Sequence, residues 1–98
     1  MKIDFSTQVK VGDTPVFLEK DKPADLGHIC RDALNFPPQN KRLSLEDLVA
    51  RGRLAEQISS GAVVDVKPED ISLIRSCLPD RYQHAQLVVT VYDLLDPR

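Results

Sequence analysis

The sequence contains no run of apolar residues approaching the roughly 18 to 20 that a bilayer-crossing helix needs. Met1-Lys2-Ile3-Asp4 is not followed by the apolar core of a secretory leader, so the expected setting is the cytoplasm. An excess of one charge sign is also missing. Against 13 Lys and Arg stand 15 Asp and Glu, for a net charge of −2, and nothing draws the whole chain to phosphate backbones or anionic lipid. Gly-rich phosphate loops and a GxSxG nucleophile elbow are absent, and Gly12-Asp13-Thr14 lacks the alternating oxygen ligands of a calcium loop. Cysteine occurs only at Cys30 and Cys77, both in helix-like apolar patterns. A small buried thiol is the usual occupant there, and a disulfide would be unusual in a reducing compartment.

What is present specifies a fold. Ninety-eight residues, 42% of them apolar, suffice for one domain with a modest core, a layer of helices on a small sheet. Ile3, Phe5, Thr7, Val9 and Val11 alternate with polar residues, the period of a half-buried strand. Gly12-Asp13 then closes a tight hairpin, with Val16-Phe17-Leu18 returning so that Val9 faces Val16. Pro15 would remove a ladder donor, which puts the hairpin at an edge. Glu19 to Lys22 reads as a solvated connector, and Pro23 suits the first turn of a helix whose row is Leu26, Ile29, Cys30, Ala33 and Leu34. Asn35 can cap it in the left-handed region, and Pro37-Pro38 forbids continuation, leaving 36–42 as an exposed loop.

Ser44, with Asp47 three residues on and Leu43 able to staple to Leu48, starts a second helix. Leu45, Leu48, Val49, Ala55 and Ile58 are its expected buried side, Gly52 marks a bend or a close contact, and Gly61 ends it. Residues 62–66 are β-branched and form a third strand beside the hairpin. Pro68-Glu69-Asp70 opens a third helix with Ile71, Ile74 and Leu78 inward, closed by Pro79. Asp80 with Gln83 opens a last helix to Leu95, expected to be the most buried element, although Leu87 to Tyr92 would also suit a strand by composition. The predicted class is α+β: an N-terminal hairpin plus a short third strand packed against about four helices.

Chemistry is scarce in this frame. His28 and Cys30, two residues apart, do not share a helical face, and no second His/Cys cluster completes a metal site. His84 reads as a surface or interface histidine. Glu69 and Asp70 answer to a helix dipole, and Asp93 and Asp96 to a solvated C-terminal end. No catalytic residue, cofactor or metal is expected. Two surface candidates remain. Phe36 with Pro37 and Pro38 sets an apolar ring on a stiff loop, the kind of feature that anchors a protein partner. Lys41, Arg42, Arg51 and Arg53 bracket the second helix, and residues 39–53 carry four basic against two acidic side chains. The helix from Ser44 to Ser60 is thus an alternative nucleic-acid face. A solvated face or intra-chain ion pairs account better for these arginines, because no aromatics are interleaved for base stacking.

Taken together, Met1-Lys2-Ile3-Asp4-Phe5, the Gly12-Asp13 turn, the helix on Leu26, and Val64-Asp65-Val66 leading into Pro68-Glu69-Asp70-Ile71-Ser72-Leu73-Ile74 resemble small uncharacterised proteins of tailed bacteriophages and prophages. The likeness covers most of the chain through element order, and no functional residue carries over. It implies a setting in the bacterial cytoplasm during phage expression, where small accessory proteins work by binding phage or host proteins. The exposed hairpin edge is a further surface for self-association.

Overall fold

The alternation at the N-terminus is realised as burial but not as one strand. In the computed structural model, which describes residues 1–19, 21–40 and 42–95, Ile3, Phe5 and Val9 are all buried, yet the regular strand ends at Asp4. The Asp4 carboxylate accepts hydrogen bonds from the Ser6 backbone N–H and hydroxyl, a local turn that competes with the ladder. Strand β1 (Lys2–Asp4) pairs antiparallel with β6 (Val63–Asp65), Ile3 opposite Val64. The expected third strand is thus present, paired with the first segment of the N-terminal alternation rather than with the residues next to the Gly12-Asp13 turn. The terminal ammonium fixes this register, donating to the Asp65 carboxylate at 2.8 Å and the Val66 carbonyl at 3.0 Å.

Beyond the turn the chain forms the expected hairpin. Strands β2 (Lys10–Val11) and β3 (Thr14–Pro15) flank Gly12, whose φ of 63° only glycine adopts readily. The Val16 N–H donates to the Val9 carbonyl at 3.1 Å, so Val9 does face Val16. Two expectations fail just beyond it. The charged connector is a second small hairpin, β4 (Phe17–Glu19) on β5 (Lys22–Pro23), with Asp21 at a φ of 67°; Lys20 lies outside the described residues. Pro23, expected in a first helical turn, belongs to β5. Helix α1 (Leu26–Asn35) starts three residues later, because the Asp25 carboxylate accepts the His28 N–H at 2.7 Å and is the better cap.

Helix α1 is the centre of the fold. Its row of Leu26, Ile29, Cys30, Ala33 and Leu34 is buried at 0–1% exposure, and it packs against both α2 (Leu45–Ile58) and α3 (Pro68–Arg81). Buried residues of the four helices among the described residues, and of the N-terminal segment, make one cluster. Asn35 is the last helical residue rather than a left-handed cap, and Phe36 at φ −120° is the cap. Ser44 caps α2 as expected, accepting the Asp47 N–H at 3.2 Å.

Burial along α2 departs from expectation. Ala55 and Ile58 are buried together with Leu54 and Arg51, but Leu45, Leu48 and Val49 are exposed. Nor does Gly52 permit a close contact, since a Cβ there would meet nothing within 4 Å. Pro79 lies inside α3 instead of closing it. Proline near a C-terminus forfeits one helical hydrogen bond, and the extra turn is held by Arg81 and Tyr82, which both donate to Asp32 on α1. Helix α4 (Ala85–Leu94) is then capped by His84, not Asp80, through a Leu87 N–H donated to Nδ1 at 3.2 Å. It is not the most buried element: Leu87, Val91 and Leu95 point inward, but Val89 and Tyr92 are exposed. The Tyr92 ring is covered by the Arg75 guanidinium, 3.8 Å from its centroid.

Two glycine substitutions should move stability in opposite directions. A Cβ on Gly27 would come within 3.1 Å of the Phe5 carbonyl oxygen and 3.2 Å of its Cβ, and Phe5 is pinned by hydrogen bonds on both sides. Gly27→Ala is expected to destabilise by about 1 to 2 kcal/mol. Gly52→Ala, with open space around it, should stabilise by up to about 1 kcal/mol through helix propensity. Urea unfolding of both variants checks the pair.

Candidate functional site

The Phe36-Pro37-Pro38 loop leaves α1 with its first N–H still tied to the helix, Phe36 donating to the Asp32 carbonyl at 3.2 Å. The prolines fix their own φ angles and are half-buried, while the Phe36 ring remains 54% exposed. Beside it lies a concavity of about 460 Å³ lined by Phe36, Pro37, Pro38, Asp80 and Arg81. The end of α3 thus forms the far wall of the loop's groove.

One carboxylate organises this junction. Asp32 accepts from Arg81 Nε at 2.8 Å and from the Tyr82 hydroxyl at 2.6 Å, and the Arg81 guanidinium then lies 4.8 Å from the centroid of the Phe36 ring. Burial works to raise the Asp32 pKa, but the hydrogen bonds from Arg81 and Tyr82 outweigh it and hold the carboxyl below its usual range. Burial, reinforced by Asp32, pushes the Tyr82 hydroxyl well up, so it stays a donor. The ring is presented on a loop tied at one end to α1 and braced by α3. Asp32, Arg81 and Tyr82 were not singled out from the sequence; the pairing spans 49 and 50 residues and has no local signature.

The four basic candidates are not brought together. Arg51 is 7% exposed, and its Nε and Nη1 have no hydrogen-bond partner, so the expected solvated face does not include it. Arg42 and Arg53 are exposed, and Lys41 lies outside the described residues. Elsewhere, His28 borders an open pocket of about 270 Å³ with Lys22, Asp25 and Arg31, and His84 borders one of about 380 Å³ with Pro79, Tyr82 and Val88. Among the described residues no three His, Cys, Asp or Glu side chains are placed to hold a metal ion. Cys30 and Cys77 are buried inside the core and not joined in a disulfide, and burial pushes Cys30 up to about 12, far from a thiolate at neutral pH.

The chain matches no family model, no curated protein and no solved structure. Its functional reading therefore rests on surface chemistry.

Two measurements test the junction and the core. Asp32→Asn is expected to cost about 1 kcal/mol at pH 7, since half of the ion pair is solvent-exposed. A carboxyl held low in the folded state contributes above its unfolded pKa, so the gap to wild type should narrow as pH falls below about 4. Cys30 and Cys77 should resist a thiol reagent in the native protein and react fully only in denaturant.

Proposed function

We propose that this protein is a non-enzymatic accessory protein of a phage or prophage, acting in the bacterial cytoplasm through protein–protein contact in assembly or in modulating a host factor. The observation that carries this reading is the presentation of Phe36: a large apolar ring left 54% exposed on a loop fixed by two prolines, with a groove beside it. A ring held in place loses little conformational freedom on binding, which makes it an efficient anchor. The groove wall carries the charged Arg81 and Asp80, so the partner segment pairs an apolar side chain with polar groups at its rim. No helix among the described residues is long and apolar enough to cross a membrane.

Contact with nucleic acid through the helix from Ser44 to Ser60 is the weaker reading. With Arg51 buried, Arg42 and Arg53 are the exposed arginines bracketing that helix, too few charges for a phosphate-tracking surface.

Tagged protein should capture a discrete partner from host lysate in a manner that survives nuclease. Phe36→Ala should then weaken that complex by about 2 kcal/mol or more. The same change should cost the fold less than about 1 kcal/mol, because the ring is half in solvent and its Arg81 contact is a surface cation–π pair. A partner retained at full strength by Phe36→Ala, or recovery abolished by nuclease, would overturn the reading.

A further inference from the structure

We infer that the first half of α2 is a self-complementary face on which a second copy of this chain packs antiparallel. Leu45, Leu48 and Val49 are 77%, 45% and 42% exposed, and their spacing places them on one stripe of the helix. Gly52 continues the stripe as a gap, with nothing within 4 Å of where a Cβ would stand. At about 100° per residue, this stripe is rotated about 120° from the inward row of Arg51, Leu54, Ala55 and Ile58. A small roll of the helix therefore cannot bury both. Three large apolar side chains standing contiguous in solvent mark a contact surface.

Charge chooses the occupant. Glu46 and Arg53 are exposed and lie on the same flank of the stripe, about 20° apart around the helix. Neither makes a hydrogen bond or ion pair among the described residues. Seven residues put them about 10 Å apart along the axis, beyond reach of each other. When two copies of α2 run antiparallel about a two-fold axis passing between Val49 and Ala50, Glu46 comes level with the partner's Arg53, and Arg53 with the partner's Glu46. Each charge meets one opposite charge, and one symmetric operation makes the pair twice, as an isologous interface requires. In the same register, Leu45 and Leu48 of each copy straddle the other copy's Gly52, whose missing side chain provides the hole. A parallel arrangement would instead set Glu46 level with the partner's Glu46 and lose both pairs. The far flank carries buried Arg51 and Ala55 and belongs to the body of the protein, so the flank of Glu46 and Arg53 is the one left open for charge pairing beside the stripe.

This surface is separate from the Phe36 groove, and the inference does not depend on that reading. Sedimentation equilibrium of the full chain should show a monomer–dimer equilibrium. Leu48→Asp should weaken it about a hundredfold or more, since each dimer loses two apolar contacts and gains two carboxylates there. Its far-UV circular dichroism should not change, because Leu48 is already half in solvent. Glu46→Arg and Arg53→Glu should each weaken the dimer about tenfold by turning two attractions into repulsions, and the double variant should recover wild-type affinity to within about twofold. Phe36→Ala should leave the dimer intact. A chain that is monomeric up to about 1 mM, a dimer indifferent to Leu48→Asp, or a double variant no better than the single ones would overturn the proposal.

Discussion

The two hydrogen bonds on either side of Phe5 are the constraint on which the rest of this fold depends. Its N–H donates to the Ala62 carbonyl at 2.7 Å, extending the β1 and β6 pairing, and its carbonyl accepts the Gly27 N–H at 2.8 Å in the first turn of α1. One buried residue, 2% exposed, thereby ties the N-terminus to the strand before α3 and to the central helix. Thr7 repeats the arrangement by accepting the Leu26 N–H at 2.8 Å. A helix begins with backbone donors that lack partners inside the helix. Here the N-terminal segment supplies carbonyls to two of them, and the Asp25 carboxylate takes a third. Extended chain and helix satisfy each other's backbone, which is how the three separate two-stranded pairings among the described residues hold together without forming one continuous sheet.

From that anchor, α1 reaches the candidate site at its other end. Asp32 sits one turn before Phe36, and its carboxylate holds the last turn of α3 through Arg81 and Tyr82. The arrangement explains at once why α3 runs through Pro79 and why the Phe36 loop has a wall opposite it. Arg81 serves both purposes, with its Nε on Asp32 and its guanidinium near the ring. The loop is therefore placed by the core rather than hanging from it. A rigid scaffold beneath a short loop is the usual basis of a precise contact.

Helix α2 shows the opposite condition. Its second half is core and its first half stands in solvent, although the apolar residues of both halves satisfy a helical period when read separately. The burial of Arg51 is part of the same geometry. Its place in the row with Leu54, Ala55 and Ile58 carries a guanidinium inward, where Nε and Nη1 have no hydrogen-bond partner. Buried polar atoms left in this way are costly, and here one accompanies a helix whose apolar surface is only partly used within the chain.

Local chemistry was sufficient wherever an element depends on its own residues. The Gly12-Asp13 turn, the Ser44 cap, the Pro68-Glu69-Asp70 start and the inward row of α1 were all legible, because φ preferences, capping and a 3.6-residue period act over a few positions. So was the α+β class, and so was the position of Phe36 on a loop between two helices. Long-range pairing decided the rest. Only folding reveals that β6 pairs with β1, that Asp25 outcompetes Pro23 as the start of α1, or that Asp32 lengthens α3 beyond its proline. An apolar row states that a face avoids water, not which neighbour will cover it. Leu45, Leu48 and Val49 therefore read as core in the sequence, and only the packing of α2 against α1 left them outside.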